Sequence, residues 1–385
     1  MSCVSVVPHG SALSRVGVVG GGQLARLLGE AERPEITVTV LAGADEPATA
    51  TCDEVVVGDA RDDAALRTLA ERVDVITFDH ELVDLEQLAR LEAEGVLLRP
   101  GPGALRAAVD KSYQRRLFAD AGLPLPRFVV VDSPRDVGLT TFLDTVDAAP
   151  VVKAARGGYD GRGVVFSTGR DDARAAVERF GASVVVEESL TLRGEVAQLL
   201  VRGADGDVVT YPLVTTVQRD GQCAEVRYPC DTGHDDEAAA LAVRIAELVD
   251  AVGVLAVELF VTDAGLLINE VALRPHNTGH WTIEGARTSQ FANHLAAVTG
   301  RPLGPTTPTA AHVVMVNVTG GPQPPPPGWS RTAPRTSVAI HDYAKAWRPE
   351  RKIGHVTAWG DDAAATRVRA WREARRAGTA SWEDE

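Results

Sequence analysis

The chain has 385 residues, is 45% hydrophobic and 24% charged, and carries a formal net charge of −14, which suits a globular protein of two or three domains and excludes a broad basic face for nucleic acid. No apolar run is long enough to span a bilayer, and residues 1–14 lack the charged start and apolar centre of a signal peptide, so they read as a loose extension. The four cysteines, Cys3, Cys52, Cys223 and Cys230, match no zinc or redox spacing, which fits a reducing cytoplasm.

Only four of the 39 basic residues are lysine, at 111, 153, 345 and 352. A compact, flexible ammonium does what a planar guanidinium cannot, so each of these positions is informative.

From Arg15 the sequence reads as a strand (Val16–Val19), a glycine turn (Gly20–Gly22), a helix (Gln23–Leu28) and a second strand near Ile36–Leu41, the opening of a Rossmann-like βαβ unit. The glycines give GxxGxG rather than GxGxxG, and Leu41-Ala42-Gly43 stands where a dinucleotide site would place an acid. A bare α/β half-domain is therefore preferred over an NAD site. The strand Val73–Phe78 runs into Asp79, His80 and Glu81, polar groups at the strand end where ligands of open α/β sheets gather.

Pro100–Gly103 marks a boundary, and Ala104–Gly122 reads as one helix carrying Asp110 and Lys111; the plain alternative for that pair is a solvated charged face. A β-rich region is expected from about Phe128. Within it the strand Pro150–Lys153 leads into Arg156–Gly163, where Gly157, Gly158, Gly161 and Gly163 are interleaved with Tyr159, Asp160 and Arg162. Glycines leave backbone N–H groups free to close on phosphate oxygens. The Gly-Lys-Ser/Thr ending of a Walker A loop is missing, and a flexible hairpin tip is the alternative. Val184–Val186 meets Glu187 and Glu188, with Glu195 soon after, an arrangement that suits a purine hinge: main chain to the adenine edge and a carboxylate to the ribose. Val196–Tyr228 reads as antiparallel strands and Asp235–Val252 as an amphipathic helix.

Glu258 lies in the apolar run Val254–Val261 and Glu270 twelve residues on, after a turn at Thr262–Gly265 and a second run, Leu266–Ile268. This predicts a β-hairpin with one carboxylate on each strand. Converging carboxylates repel, and Mg²⁺ commonly binds through one or two carboxylates plus substrate phosphates; two solvated edge-strand glutamates are the alternative. The metal reading gains from Asn269, a further oxygen ligand, and from Arg274 and His276, which bind anions. Asn269–Trp281 packs a carboxylate, a guanidinium, two imidazoles and two carboxamides into thirteen residues, a density that a fold alone does not need. Pro322–Gly328 reads as a surface loop, and Tyr343–His355 is a local basic cluster suited to a phosphate-bearing substrate or, alternatively, a solvated basic loop.

Taken in order, these segments resemble the N5-carboxyaminoimidazole ribonucleotide synthetases, ATP-grasp enzymes of purine biosynthesis, from Val16 to about Val356. The most specific pieces are Gly157–Gly163, Asn269–Trp281 continued by Thr288–Phe291, and Arg351–His355. The resemblance implies an α/β protein: a Rossmann-like pre-ATP-grasp domain (1–103), an ATP-grasp domain (104–304, with subdomains 104–186 and 187–304) and a small β-rich C-terminal domain (305–385) completing the ribonucleotide site. It implies ATP and Mg²⁺ as cofactors, 5-aminoimidazole ribonucleotide and bicarbonate as substrates, and a cytoplasmic homodimer.

Position by position, it implies that Lys111 and Lys153 hold ATP phosphates under the loop of Gly157, Gly158, Tyr159, Asp160, Gly161 and Gly163. Glu187 matches the hinge, Glu195 the ribose contact, and Gln218 and Asn269 further nucleotide contacts. Glu258 and Glu270 match the magnesium ligands. Tyr159, Arg274, His276 and Asn277 match the bicarbonate and carboxyphosphate pocket, Lys345 and Arg351 the clamp on the ribonucleotide phosphate, and Gln23 and Glu81 contacts to the aminoimidazole ribonucleotide. Val164 stands for a frequent Gln, Gln218 for a His, Leu273 for a Pro and Thr278 for a Ser. A related ligase, such as a formate-dependent glycinamide ribonucleotide transformylase or a biotin-type carboxylase, would share the nucleotide half and differ after Arg274.

Overall fold

A computed structural model describes residues 14–133, 135–146, 149–158, 163–330 and 337–377. Four parallel strands, β1 (Arg15–Val19), β2 (Thr37–Ala42), β3 (Glu54–Val57) and β4 (Val75–Phe78), lie in the order β3-β2-β1-β4. Both faces are covered, so β1, β2 and β4 are near-continuous apolar runs. Val16, Val18, Val38 and Val40 pack with helix α1 (Gln23–Glu30), while Val19, Leu41, Ile76 and Phe78 pack with α2 (Asp63–Ala70) and α3 (Leu85–Ala93).

The expected helix over 104–122 is two helices, α4 (Pro102–Val109) and α5 (Lys111–Asp120). Asp110 breaks the run. It takes extended dihedrals (φ −125°, ψ 99°), and its carboxylate accepts from the N–H groups of Ser112 (3.0 Å) and Tyr113 (3.1 Å). An aspartate in that position satisfies helix donors that would otherwise lack partners. The break turns Lys111 into the first residue of α5, where its N–H donates to Ala155 O at 2.8 Å.

The stretch from Phe128, expected to be β-rich, alternates strand and helix. Strands β5 (Phe128–Val131), β6 (Val151–Ala154), β7 (Val164–Phe166) and β8 (Val184–Glu187) form an antiparallel sheet in the order β5-β8-β6-β7, with α6 (Val137–Thr145) and α7 (Arg170–Phe180) sharing its core.

The large sheet contains β9 (Gly194–Arg202), β10 (Val208–Thr210), β11 (Val214–Arg219), β12 (Gln222–Tyr228), β13 (Gly253–Thr262), β14 (Gly265–Ala272), β15 (His312–Thr319), β16 (Val338–Asp342) and β17 (Lys352–Gly360). Its order is β14-β13-β9-β11-β12-β15-β17-β16, with β10 on β9. The strands after residue 305 therefore extend the same sheet through the antiparallel β12–β15 pair. Helices α8 (Asp235–Leu248), α9 (Thr282–Gly285), α10 (Gln290–Thr299) and α11 (Ala363–Arg376) complete the described chain, and among the described residues no helix is long and apolar enough to cross a membrane.

Helix α10 joins the parallel sheet to the large one through His294. Its Nδ1 accepts from Val254 N (3.1 Å), so its Nε2 carries the proton donated to Thr77 Oγ1 (2.8 Å). Burial drives this imidazole down to about 3, so it is neutral. Gly253 makes the approach possible: it has φ +105°, and a Cβ there would lie 2.8 Å from the ring.

Asp110 also pairs with Arg156 (Nη2–Oδ2 2.8 Å) at the start of the glycine loop. Asp110→Ala should cost about 1 to 2 kcal/mol in chemical denaturation. Asp110→Asn, which can still cap α5, should cost clearly less; equal losses would show that capping is not what Asp110 contributes.

Candidate active site

Glu258 and Glu270 are register partners on β13 and β14. Directly opposed residues of an antiparallel pair share one face, with Cβ atoms about 5 Å apart. The register then passes to Leu259↔Ile268, leaving Asn269 as the extra residue of a β-bulge. That interruption of the alternation lets two consecutive residues serve one site. Lys153 Nζ donates to Asn269 Oδ1 at 3.1 Å, and Lys111 Nζ pairs with Glu270 Oε1 at 2.8 Å.

Opposed like charges are unfavourable, and the two acids respond differently. Burial first, then the charges of Glu270 and Glu195, push Glu258 up to about 7. Burial would raise Glu270 as well, but Lys111, with lesser help from Lys153 and His276, holds it below the usual carboxylate range. The Glu270 side chain is still 45% exposed, so the pair lies at the floor of an open cleft and not in a sealed core. His276 Nε2 stands 3.9 Å from Glu258 Oε1.

Beside this pair is a buried ion group. Glu187 Oε1 accepts from Arg115 Nε (2.7 Å) and Glu187 Oε2 pairs with Lys153 Nζ (2.7 Å), with Arg115 and Glu187 side chains only 1% and 3% exposed. Burial alone would raise Glu187, but Arg115 and then Lys153 outweigh it and take the carboxyl down to about 2. The Glu187 carboxylate turns inward to two cations, so any purine contact at this strand end falls to the main chain.

Glu195 lies on β9 directly opposite Phe260 of β13, and burial raises its carboxyl. The Phe260 ring lies under Lys153 Nζ at 5.8 Å. Gln218 sits at a bulge of β11, the strand next to β9. Gly157 and Gly163 have φ of +76° and +80°, a left-handed backbone that alanine would strain. The expectations for Tyr159, Asp160 and Gly161 fall outside the described residues.

On the other side, Arg274 Nε donates to Glu81 Oε2 at 2.7 Å, which joins two expected site residues 193 positions apart. Lys345 Nζ donates to Gln23 Oε1 at 2.7 Å across 322 positions, and Arg351 Nη1 holds the adjacent Ala346 carbonyl at 3.1 Å. The Asn277 carboxamide exchanges two hydrogen bonds with Asn317 of β15 (2.9 and 2.7 Å), which fixes the segment after His276 against the large sheet. Asp79 fills the amino-terminal end of α1, accepting from Gly22 N and Ala25 N at 2.8 Å each. A carboxylate thus occupies the place a dinucleotide pyrophosphate would need, in accord with the preference for a bare half-domain.

Sequence reasoning misses the contacts that Arg115, Gln290 and Asn317 make with expected site residues. Gln290 accepts from His276 N (2.9 Å) and donates to His276 O (2.7 Å). The run Thr288–Phe291 stands out in the sequence only as a likeness, and for Arg115 and Asn317 the linear sequence offers no local signal.

Fold and site together define an ATP-grasp protein with a pre-ATP-grasp domain. Family models described as ribonucleotide synthetase preATP-grasp domain, ATP-grasp domain and phosphoribosylaminoimidazole carboxylase C-terminal domain match residues 13–109, 116–291 and 313–369. N5-carboxyaminoimidazole ribonucleotide synthase of Mycobacterium bovis is 44% identical over 96% of this chain and 89% of its own. The crystal structure of N5-carboxyaminoimidazole ribonucleotide synthetase from Thermus thermophilus superposes with TM-score 0.86 at 36% identity, covering 96% of this chain and all (100%) of that one. The Aspergillus clavatus N5-carboxyaminoimidazole synthase, solved with ADP and 5-aminoimidazole ribonucleotide, superposes with TM-score 0.84 at 29% identity, covering 94% of this chain and 99% of that one. This chain belongs to the N5-carboxyaminoimidazole ribonucleotide synthase family.

The low pKa of Glu187 carries a stability prediction. A carboxyl depressed from 4.5 to about 2 stabilises the fold in full above the unfolded value and loses that contribution as pH falls towards the folded one. Glu187→Gln, which strands two buried cations, should cost about 3 to 5 kcal/mol at neutral pH. Measured by denaturation, the gap between wild type and variant should close as the pH falls from 4.5 towards 2; a gap independent of pH would contradict the ion group.

Proposed function

We propose that the chain carboxylates 5-aminoimidazole ribonucleotide with bicarbonate at the expense of ATP, giving N5-carboxyaminoimidazole ribonucleotide, ADP and phosphate in purine biosynthesis. It is an ATP-dependent carbon–nitrogen ligase. The observation that carries the reading is the opposed Glu258–Glu270 pair, flanked by Lys111, Lys153 and His276, in a chain so similar to relatives of that name.

Bicarbonate oxygen attacks the γ-phosphorus and ADP leaves, forming carboxyphosphate. The exocyclic amine of the ribonucleotide then attacks the carboxyl carbon, phosphate leaves and the amine loses a proton. Phosphoryl transfer asks the protein mainly for alignment and charge neutralisation. Lys153 and Lys111 serve both ends by facing the transferring phosphoryl group, while the loop from Gly157 to Gly163 excludes water from carboxyphosphate. Arg274, held by Glu81, and His276, held by Gln290, orient the bicarbonate oxygens. Gln23, Lys345 and Arg351 take the ribonucleotide, so residues 15–103 and 305–377 complete a site whose nucleotide half lies in 104–304.

Glu258 and Glu270 fit Mg²⁺, with Asn269 beside them. Among the described residues no group of three His, Cys, Asp or Glu is arranged for a metal, but Mg²⁺ asks the protein for only one or two carboxylates when phosphates and water supply the rest. When bound, the ion would supply positive charge to the terminal phosphates. The resemblance adds a homodimer and a cytoplasmic location; analytical ultracentrifugation tests the first.

ADP release should require both bicarbonate and the ribonucleotide, and release that persists undiminished with either omitted would overturn the assignment. Glu270→Gln should lower turnover by about 10² to 10³-fold with an unchanged circular dichroism spectrum; near-normal turnover would remove Glu270 from the metal site. Lys345→Ala should raise the ribonucleotide KM about tenfold and leave the ATP KM unchanged, the pattern for losing one charged hydrogen bond to one substrate.

A further inference from the structure

Arg115 projects from α5 into the space between the small antiparallel sheet and the large one, and it is 1% exposed. Its guanidinium meets three acceptors at once: Glu187 Oε1 through Nε (2.7 Å), Gln114 Oε1 through Nη1 (2.7 Å) and the main-chain oxygen of Asn269 through Nη2 (2.6 Å). Lys153 closes the circuit, pairing with the other oxygen of Glu187 at 2.7 Å and donating to the side chain of the same Asn269 at 3.1 Å. Arg115, Glu187, Lys153 and Asn269 thus form a ring spanning α5, β8, β6 and β14.

Two consequences follow from charge and geometry. Two cations share one carboxylate, so the group keeps a net charge of about +1; Glu187 alone would neutralise Lys153. The residue clamped at Asn269 is the extra residue of the bulge and stands directly before Glu270, so the clamp sets the lysine and the carboxylate relative to each other.

We propose that Arg115 is a positioning residue for phosphoryl transfer: it keeps Lys153 net-positive towards the nucleotide phosphates and locks that lysine in register with the Glu258–Glu270 hairpin. The proposal rests on the nucleotide site assigned above. Arg115 itself touches no substrate. A lysine in its place would carry the charge, but a point ammonium cannot meet three acceptors spread around a planar fork.

The test uses the full chain with two variants, Arg115→Lys and the double variant Arg115→Met/Glu187→Gln, the second removing one cation together with the shared carboxylate so that Lys153 alone keeps the group at about +1. Folding is followed by circular dichroism, ATP and ribonucleotide KM by steady-state kinetics, and Mg·ADP affinity by calorimetry without ribonucleotide. Arg115→Lys should fold, raise the ATP KM and the Mg·ADP Kd about tenfold, and leave the ribonucleotide KM within about twofold, the scale of one charge-assisted hydrogen bond lost on the nucleotide side alone. The double variant should fold and lose about tenfold or more in kcat, because Asn269 has lost its clamp.

Wild-type nucleotide affinity in Arg115→Lys would overturn the proposal. So would an equal rise in both KM values, wild-type kcat in the double variant, or the unfolding of both variants, which would make Arg115 a residue of the fold alone. A wild-type chain lacking ribonucleotide-dependent ADP release would refute the carboxylation reading instead, and the calorimetry would still report on Arg115.

Discussion

Two carboxylates set opposite each other on adjacent strands are electrostatically unfavourable, and the arrangement of this protein around Glu258 and Glu270 follows from that constraint. Burial first, and then the charges of Glu270 and Glu195, raise the carboxyl of Glu258 to about 7, while Lys111 holds Glu270 in its charged form. Each nearby cation is itself held by another element. Asp110 ends α4, starts α5 and so aims Lys111; Glu187 and Arg115 hold Lys153; the bulge at Asn269 brings a carboxamide and a carboxylate to the same face. Such support is what a preorganised charge site requires, because groups left to reorient during reaction would give back much of their stabilisation.

The same constraint explains why the site needs three layers of chain. A cleft that sets two acids among several cations is lined from the small sheet, the large sheet and the parallel sheet. Buried, neutral His294 couples the last two by one hydrogen bond to each. The Gln23–Lys345 and Glu81–Arg274 contacts then tie the parallel sheet to the last strands and to the segment after β14. Because β15, β17 and β16 prolong the sheet that carries the carboxylates, the segment with Lys345 and Arg351 and the hairpin with Glu258 and Glu270 share one backbone frame.

What could be read from sequence follows from how local each signal is. The hairpin carrying Glu258 and Glu270 was legible because alternation and a turn are properties of neighbouring residues, and so was the open α/β start from its glycine spacing. Glu81, Arg274, Gln23 and Lys345 could be singled out, but not their pairing, since partners lie 193 and 322 positions apart. Arg115 left no trace: on a polar helix it looks like one more surface arginine, and its burial depends on Glu187, 72 positions away. For the same reason the pairing of the Glu187 carboxylate with Arg115 and Lys153 has no local signal, and the helix break at Asp110 is lost within a stretch of strong helix formers. Resemblance supplied the roles that geometry alone leaves open, and it gave no sign of the Asn277–Asn317 hydrogen bonds, made across 40 positions.

The most direct measurement is the anomalous scattering of Mn²⁺, standing in for Mg²⁺, in crystals of the chain grown with ADP. The account predicts a peak between the carboxylates of Glu258 and Glu270, touching the nucleotide's phosphates, with Lys153 still paired to Glu187. A peak elsewhere, or carboxylates that part without sharing the ion, would contradict it.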